Sequence, residues 1–509
     1  MPTSKSTAIC LGDLLANCDG EVTYEGCDAT TSIRDVVVDS RVVKSGDAFV
    51  AVVGATNDAH RFVDTVREAG AAVVIAQRGR LESITGPHVW LDDTAAALPT
   101  IAANRFGHPA HKLRLAGITG TNGKTTTAHL VAGVLRHAAS PHIRLGTTGN
   151  WVVDREDAAG FTTPFPLELQ GLLADAVSRG AVTGVMEVSS HALEQGRAKP
   201  IVYAAVGLTS FSQDHLEFHP TMEAYLEAKC RLAREYLRAD GIAVAAVDGQ
   251  PAASRFLAAA ASPQRWRASQ GAVPDAEIRA HTIRDDGAGL RAQVDTPMGS
   301  LALASPLVGD FNLDNLLVTI GLSLGLGIDT NVIEDALPNL HGAPGRLERV
   351  RAAPDSPVVF VDYAHTPDAV QRAIAVVRGI CRGQLFVVLG CGGDRDRSKR
   401  AVMGRVASTG ADRFWATSDN PRTEDPEQII DDMLADIDGE QRHKVVRCCD
   451  RGAAIADAIG TASSNDVVLI AGKGHEDYQV LGTQRIHFDD REHAIAALGR
   501  RSKKSGASA

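Results

Sequence analysis

LRLAGITGTNGKTTTAHLVAGVLRHA, residues 113–138, reads as strand, loop and helix in direct succession. Leu113–Ile118 is a short apolar run, Gly117–Thr127 is rich in glycine and threonine, and the residues beyond it place apolar side chains at helical spacing. A loop between a strand and a helix N-terminus aims backbone N–H groups and the helix dipole at one point, which makes it an anion site. Lys124 supplies a charge for phosphate, and Thr125 puts a hydroxyl where the Mg²⁺ accompanying a nucleotide binds. The usual phosphate-loop pattern has a glycine five positions before Gly123. Ile118 stands there instead, with Gly117 and Gly120 nearby. Gly120, Thr121, Asn122, Gly123, Lys124, Thr125 and Thr126 are therefore expected to cradle ATP or a relative, within an α/β fold.

Two further strand ends fit that loop. VTGVMEVSSH ends an apolar run on Glu187, an acid that can reach a metal beside the phosphates or else cap a helix. TSFSQDHLEFH places His215 past another apolar run, as a metal ligand, a phosphate contact or a structural histidine.

Working outward, residues 35–110 alternate short β-rich runs (DVVVD, AFVAVVG, AAVVIAQ) with helical stretches, and read as a separate α/β unit. The unit that begins at Leu113 extends through GIAVAAV and FNLDNLLVTIGLSLGL to the Gly/Pro-rich HGAPGR at 341–346. Beyond it, VVFVDYAHTP, LFVVLGCGG, DRFWATSDNP and VVLIAGKG are strands running into polar loops, as in a doubly wound Rossmann-like sheet. The expected domains are 1–112, 113–343 and 344–509, which suits a length of 509 residues. The basic tail RRSKKSGASA is expected to fray.

A net charge of -10 argues against a nucleic-acid partner, which needs dense Lys/Arg contacts. The opening MPTSKSTAICLGDLL lacks a signal peptide's apolar core, and no run approaches the ~20 apolar residues that span a bilayer, so a cytoplasmic protein without a membrane partner is expected. Eight cysteines include no CxxC pair, and reduced thiols are expected. A monomer is expected.

Taken in order, GTNGKTT, EVSSHAL, QDHLEFH, GDFNLDN, DYAHTPDA, GCGGDRDRSKR, DNPRTEDP and AGKGHEDYQ resemble the Mur ligases over nearly the whole chain. The resemblance implies an N-terminal domain for a UDP-sugar, a central ATPase and a C-terminal domain admitting an amino acid. It also implies a reaction in which ATP phosphorylates a carboxylate and an amine attacks the acyl phosphate. No nucleophile elbow or Ser-His-Asp signature contradicts this. DNPR and GKGHEDY resemble the branch that adds meso-diaminopimelate to UDP-N-acetylmuramoyl-L-alanyl-D-glutamate. The same ligase adding L-lysine and a folylpolyglutamate synthase are the alternatives.

By the same resemblance Lys124, Glu187, His215 and Lys229 form the catalytic group. Lys229, in YLEAKCRL, is implied to become a carbamate that supports magnesium together with Thr125, Glu187 and His215. Read without that context it is an ordinary solvated helical lysine. Asn312, Asn315, Arg346, Asp362 and His365 are implied to hold the adenine, phosphate and ribose of ATP. Ser40, Ala55, Thr56 and Asn57 match uridine contacts, or simple turns, and Thr162, Thr163, Ser189, Gln195 and Arg197 match contacts to the sugar-peptide.

The amino-acid set is Arg395, Asp419, Asn420, Pro421, Arg422, Gly472 and Glu476. Diaminopimelate differs from lysine by a distal carboxylate, for which Arg422 offers a planar two-pronged partner. Lysine would leave that guanidinium unpaired, which at full burial costs several kcal/mol, or about a thousandfold in discrimination. Alternatively Arg422 forms a surface pair with Glu424 or Asp425. One departure from the family pattern is TSFS, where relatives carry Asn near Ser210.

Overall fold

The computed structural model describes residues 8–54, 57–285, 289–350 and 355–506. The chain divides into two compact units. One holds the N-terminal part to Thr282 with Ala292–Leu303 and Asp314–Pro338, and the other holds Ile283–Arg291, Ala304–Leu313 and the chain from Asn339 on.

In the first unit, short strands form a five-stranded sheet in the order Thr23–Glu25, His88–Leu91, Val73–Gln77, Ala48–Val50, Val36–Val37. Alternation along Ala48–Val50 and Val73–Gln77 sends Val50, Val73 and Ile75 to one apolar layer with Leu11, Leu14 and Ile101. Phe49, Val74 and Ala76 go to the opposite layer with Val66 and Trp90. Leu167, from the helix Pro166–Ser178, packs against the first layer, while Leu169 and Leu173 of the same helix enter the core of a second, larger sheet.

That larger sheet is built on β1 (Arg114–Thr119), which feeds α1 (Lys124–His137), with β2 (His142–Leu145), β3 (Thr183–Glu187), β4 (Tyr203–Leu208), α2 (Met222–Glu235) and β5 (Leu237–Ala246) following. The spatial order is β2-β3-β1-β4-β5, all neighbours parallel. Strands buried on both faces read as continuous apolar runs, which is why GVMEV and GIAVAAV carry little alternation. The sheet reverses direction of winding about β1, so the carboxyl ends of β1, β3 and β4 open at one edge, the usual ligand crevice of such sheets.

The second unit contains a six-stranded sheet built on β6 (Val358–Asp362), β7 (Leu385–Cys391), α3 (Ser398–Gly410), β8 (Arg413–Ser418), α4 (Arg451–Thr461) and β9 (Val467–Ala471). Its parallel core runs β6-β9-β7-β8, with the edge strand Glu348–Val350 antiparallel to β6. Helices cover both faces over two separate apolar layers. The last helix, Asp490–Gly506, runs into the basic tail, with Arg501 donating to the Ile459 carbonyl on α4 at 3.1 Å; the final residues of the tail expected to fray lie outside the described residues.

Candidate active site

The phosphate loop has the geometry its sequence implies. β1 ends at Thr119 and α1 starts at Lys124, with Gly123 at φ +88° as its N-terminal cap. Gly120 sits at φ +149°, and a Cβ there would lie 2.1 Å from Thr209 Oγ1, so only glycine lets the loop touch the end of β4. That contact is a polar seam. Thr121 N donates to the Ser210 carbonyl at 2.9 Å, Asn122 N to Ser210 Oγ at 3.0 Å and Thr121 Oγ1 to the Ser212 carbonyl at 3.1 Å. Ser210, the departure from the family pattern, thus holds the loop. Lys124 Nζ donates to the carbonyls of Gly120 and Thr121 at 2.8 and 3.0 Å, so its ammonium lies across the loop it would serve. Thr126 is buried on the first turn of α1.

Glu187, fully buried at the end of β3, organises a second layer. Its Oε2 accepts from Thr125 Oγ1 at 3.0 Å and Thr147 Oγ1 at 3.2 Å, and its Oε1 accepts from Thr147 N at 2.9 Å. Gly146 makes room, since a Cβ there would stand 2.2 Å from Oε1. Thr147 Oγ1 lies 3.0 Å from Thr162 Oγ1, while Thr163 Oγ1 donates to the Glu187 carbonyl and accepts from Ser189 N. Ser189 in turn caps the turn Ser190–Glu194 through its Oγ. The structure therefore joins Thr162, Thr163 and Ser189 to Thr125 and Glu187. Thr147 escapes sequence reasoning because GTTGN carries no motif.

Lys229 is 1 % exposed on the inner face of α2, its Nζ donating to the Gly120 carbonyl at 3.0 Å and lying 4.3 Å from the centre of the Tyr225 ring. The ordinary solvated lysine is thereby excluded. Burial, with the positive Lys124 nearby, pushes its pKa well below the ordinary lysine range, favouring the neutral amine. His215, expected as a metal ligand with Thr125 and Glu187, lies beside Tyr225, whose ring also meets Lys229 Nζ and whose hydroxyl is 3.3 Å from Thr121 Oγ1 in the phosphate loop. The His215 ring meets His191 edge-on at 4.9 Å in a cluster with Tyr225, and its nitrogens face Asp214 and Glu217 at 3.5 and 3.4 Å. The left-handed backbone at His215, φ +53°, turns the chain there.

Hard oxygen donors at Thr125 and Glu187 fit Mg²⁺, which keeps several waters and takes few protein ligands. Among the described residues no group of three or more His, Cys, Asp or Glu side chains converges as a metal cage.

Of the remaining nucleotide contacts, Asn315 Oδ1 lies 2.3 Å from where a Cβ on Gly123 would stand, and accepts from Thr127 Oγ1 at 3.4 Å. Asn312 Nδ2 donates to the Val308 carbonyl. In the second unit, Asp362 at the end of β6 accepts from the N–H groups of Leu347 and Ala364 at 2.7 and 2.8 Å. Burial raises its pKa, against the pull of Arg346. Arg346 lies over the Tyr363 ring at 4.9 Å, and His365 Nδ1 faces the Tyr363 carbonyl at 2.8 Å. Gly345 and Gly474, both in the left-handed region, meet backbone to backbone: a Cβ on Gly345 would lie 2.1 Å from the carbonyl carbon of Gly474.

For the sugar-peptide set, Arg197 stacks on Phe165 at 4.1 Å and donates to Gln195 Oε1 at 2.7 Å, leaving Phe161 and Phe165 about half exposed. Ser40 begins the turn Ser40–Val42, and Asn57 accepts from Arg61. Ala55 and Thr56 lie outside the described residues.

A cavity of about 460 Å³ opens at the carboxyl ends of β7, β8 and β9. It is lined by Arg395, Asp419, Asn420, Arg422, Gly472 and Glu476, all expected from the sequence, with Tyr363, Lys399 and Tyr478 besides. Pro421, also expected there, is buried and puts its carbonyl 1.9 Å from where a Cβ on Gly393 would be. Arg422 adopts φ +52°, and its Nη1 donates to the Gly393 carbonyl at 2.7 Å. The alternative ion pairs do not form: Glu424 binds Arg400 and Arg397, and Asp425 caps the helix Pro426–Leu434. Glu476 Oε2 accepts from Asn420 Nδ2 at 2.8 Å and from the buried Lys473 at 3.3 Å. Lys473 also escapes sequence reasoning, being one lysine in a glycine-rich loop.

The chain matches the Mur ligase middle domain over residues 118–323 and the Mur ligase glutamate ligase domain over residues 345–474. Over 97 % of its length it is 40 % identical to the UDP-N-acetylmuramoyl-L-alanyl-D-glutamate–2,6-diaminopimelate ligase of Trichormus variabilis, covering 99 % of that protein. The chain belongs to the Mur ligase family. A ligase of the same name from Gloeobacter violaceus is 44 % identical over 93 % of the chain and 95 % of its own length. A solved structure of such a ligase superposes with a TM-score of 0.72 at 31 % identity, over 97 % of this chain and 100 % of that one. The three-domain α/β architecture of Mur ligases is thus shared, and the chain is an ATP-dependent ligase that forms amide bonds.

Proposed function

We propose that this Mur ligase adds meso-diaminopimelate to the D-glutamyl carboxylate of UDP-N-acetylmuramoyl-L-alanyl-D-glutamate, building a peptidoglycan precursor in the cytoplasm. The observation that carries the choice of amino acid is Arg422, whose planar fork lines the 460 Å³ cavity while the acids beside it in sequence are engaged elsewhere. A second guanidinium at Arg395 suits the other carboxylate, and Asp419 with Glu476 suits an ammonium. The identically named relatives support the same substrate, and the lysine-adding alternative is not favoured.

In this reading the γ-phosphoryl group passes to an oxygen of the D-glutamyl carboxylate, releasing ADP. The amine then attacks the carbonyl carbon, the C–N bond forms, phosphate leaves and the amine proton passes to solvent. No protein nucleophile is needed, so the residues act by position and charge. The loop amides from Gly120 to Thr126 receive the phosphates, and Lys124 exchanges the Gly120 and Thr121 carbonyls for phosphate oxygens. Thr125 and Glu187 would hold Mg²⁺, which when bound neutralises phosphate charge. Lys229, buried at the same loop with its charged form disfavoured, is disposed to add CO₂ at its nitrogen, release a proton to solvent and present a carbamate anion, which with His215 would complete the metal site. Thr162, Thr163 and Ser189 hold the acceptor beside Glu187, and Arg197 with Gln195 bind its polar groups. Ser40 and Asn57 face the uridine. Asn315, Asn312, Arg346, Asp362 and His365 contact ATP, and the domain limits are those drawn at 112/113 and 343/344.

Phosphate release by the purified protein, with ATP, Mg²⁺ and the UDP-sugar dipeptide, tests the proposal. Release dependent on meso-diaminopimelate supports it. Release with L-lysine alone overturns the reading of Arg422, and release with no amino acid overturns the coupling.

A further inference from the structure

Glu424 stands two residues beyond Arg422 on the same loop, yet its carboxylate is taken by two other arginines, the exposed Arg397 at 2.7 Å and Arg400. Arg400, on α3, has a side chain 0 % exposed, with Nη2 at 2.8 Å from Glu424 Oε1 and Nη1 at 3.0 Å from Oε2. Nη1 also reaches Asp432 at 2.8 Å, and Nη2 reaches the Gly392 carbonyl at 3.2 Å. Chiefly through Arg400, the Glu424 carboxyl is held at about 2.

The two arginines grip successive carbonyls, Arg400 that of Gly392 and Arg422 that of Gly393. Glu424 Oε1 further accepts from Asp394 N at 2.5 Å, one residue before Arg395, and Thr423 Oγ1 donates to Asp394 Oδ1 at 2.9 Å. One guanidinium–carboxylate pair, its guanidinium fully buried and its carboxylate 11 % exposed, therefore ties the loop carrying Arg395 to the loop carrying Arg422. A two-pronged pair shielded from water outcompetes a half-exposed pair for the same carboxylate.

We propose that Arg400 is a positioning residue for amino-acid selection: by occupying Glu424 it leaves the Arg422 fork open to the distal carboxylate of the substrate and holds the Arg395 loop beside it. This role rests on the diaminopimelate reading above. It predicts that without Arg400 the Glu424 carboxylate, left with the 68 % exposed Arg397 and the Asp394 N–H, becomes an internal competitor for the substrate's own carboxylate. Lysine, lacking that carboxylate, has nothing to compete for.

The test uses the full-length enzyme, with phosphate release measured against meso-diaminopimelate and against L-lysine. Arg400→Gln is expected to raise KM for diaminopimelate about three- to fivefold, the upper end of what a competing exposed ion pair is worth, with kcat within about twofold and lysine use unchanged. Arg400→Gln combined with Glu424→Gln is expected to return KM to within about twofold of wild type, because the competitor's charge is gone. A KM unchanged in Arg400→Gln overturns the proposal, as does a rise that the Glu424→Gln change fails to reverse, since loop damage alone would persist. If Arg400→Gln does not give a cooperative melt, the same comparison is made with Arg400→Lys, which keeps the charge but not the two-pronged grip. A wild-type enzyme that uses lysine and not diaminopimelate overturns the substrate reading itself, visible before any variant is compared.

Discussion

Replacing Arg422 by alanine should erase most of the preference for meso-diaminopimelate over L-lysine. At full burial an unpaired guanidinium would give about a thousandfold discrimination. The structure lowers that figure. Arg422 is only half-buried, and its Nη1 already donates to Gly393, so lysine leaves one edge of the fork unmatched rather than a whole buried charge. Losing a charge-assisted contact in such a place costs about 2–3 kcal/mol, or about 30–150-fold in kcat/KM. Alanine inherits the left-handed backbone at φ +52° without relieving it, so the folded loop is perturbed mainly through the lost Gly393 bond. The assay is the ratio of kcat/KM for the two amino acids, wild type against Arg422→Ala. The fall should lie in KM for diaminopimelate, while lysine use stays level. An unchanged ratio in a variant that melts like wild type would refute the assignment of Arg422 to the distal carboxylate.

Three other outcomes are expected. Glu187→Gln keeps one acceptor, for Thr147 N, and offers its NH₂ to the Thr125 and Thr147 hydroxyls, which can turn to accept, but loses the charge; kcat should fall about 10²–10³-fold with little change in melting temperature, and an active variant would remove Glu187 from the metal site. Lys229→Met removes an amine whose charged form is penalised by burial, so melting by calorimetry should be unchanged or up to about 4 °C higher while activity falls on the order of a hundredfold; a strongly destabilised variant would contradict the burial argument. Because the folded Glu424 pKa lies at about 2 against an ordinary 4.5, its stabilising share is complete above pH 4.5 and is lost as pH falls towards 2. The melting-temperature gap between wild type and Glu424→Gln should close over that window, and a gap constant with pH would exclude the ion pair as its source.

The phosphate loop is legible in the sequence even with a displaced glycine, because strand, lysine, hydroxyls and helix must succeed one another along the chain. The cavity proposed for the amino acid is legible for a related reason: its groups sit at the ends of parallel strands, where apolar runs stop abruptly at polar loops. The features that escape depend on partners distant in sequence. Thr147 acquires meaning only when Glu187, forty residues on, turns its carboxylate towards it. Arg400 looks like one more cation in DRDRSKR until α3 buries it against Glu424. His215 is named by its motif, but its neighbours His191 and Tyr225 become visible only in the fold, where a left-handed backbone at that residue turns its ring against them.

The backbone contact between Gly345 and Gly474 has a consequence for how this chain tolerates change. Neither position has room for even a methyl group, and each forbids it for the other's sake: a Cβ on Gly474 would meet Tyr363 Cβ at 2.6 Å and the Gly345 carbonyl at 2.7 Å. Single-residue variation at either site is therefore closed in both directions, and no compensating substitution at the partner exists, since glycine is already the smallest residue. A saturation library selected for growth should return wild-type glycine at 345 and at 474 together, making this pair among the least evolvable points of the C-terminal half although neither bears a functional group.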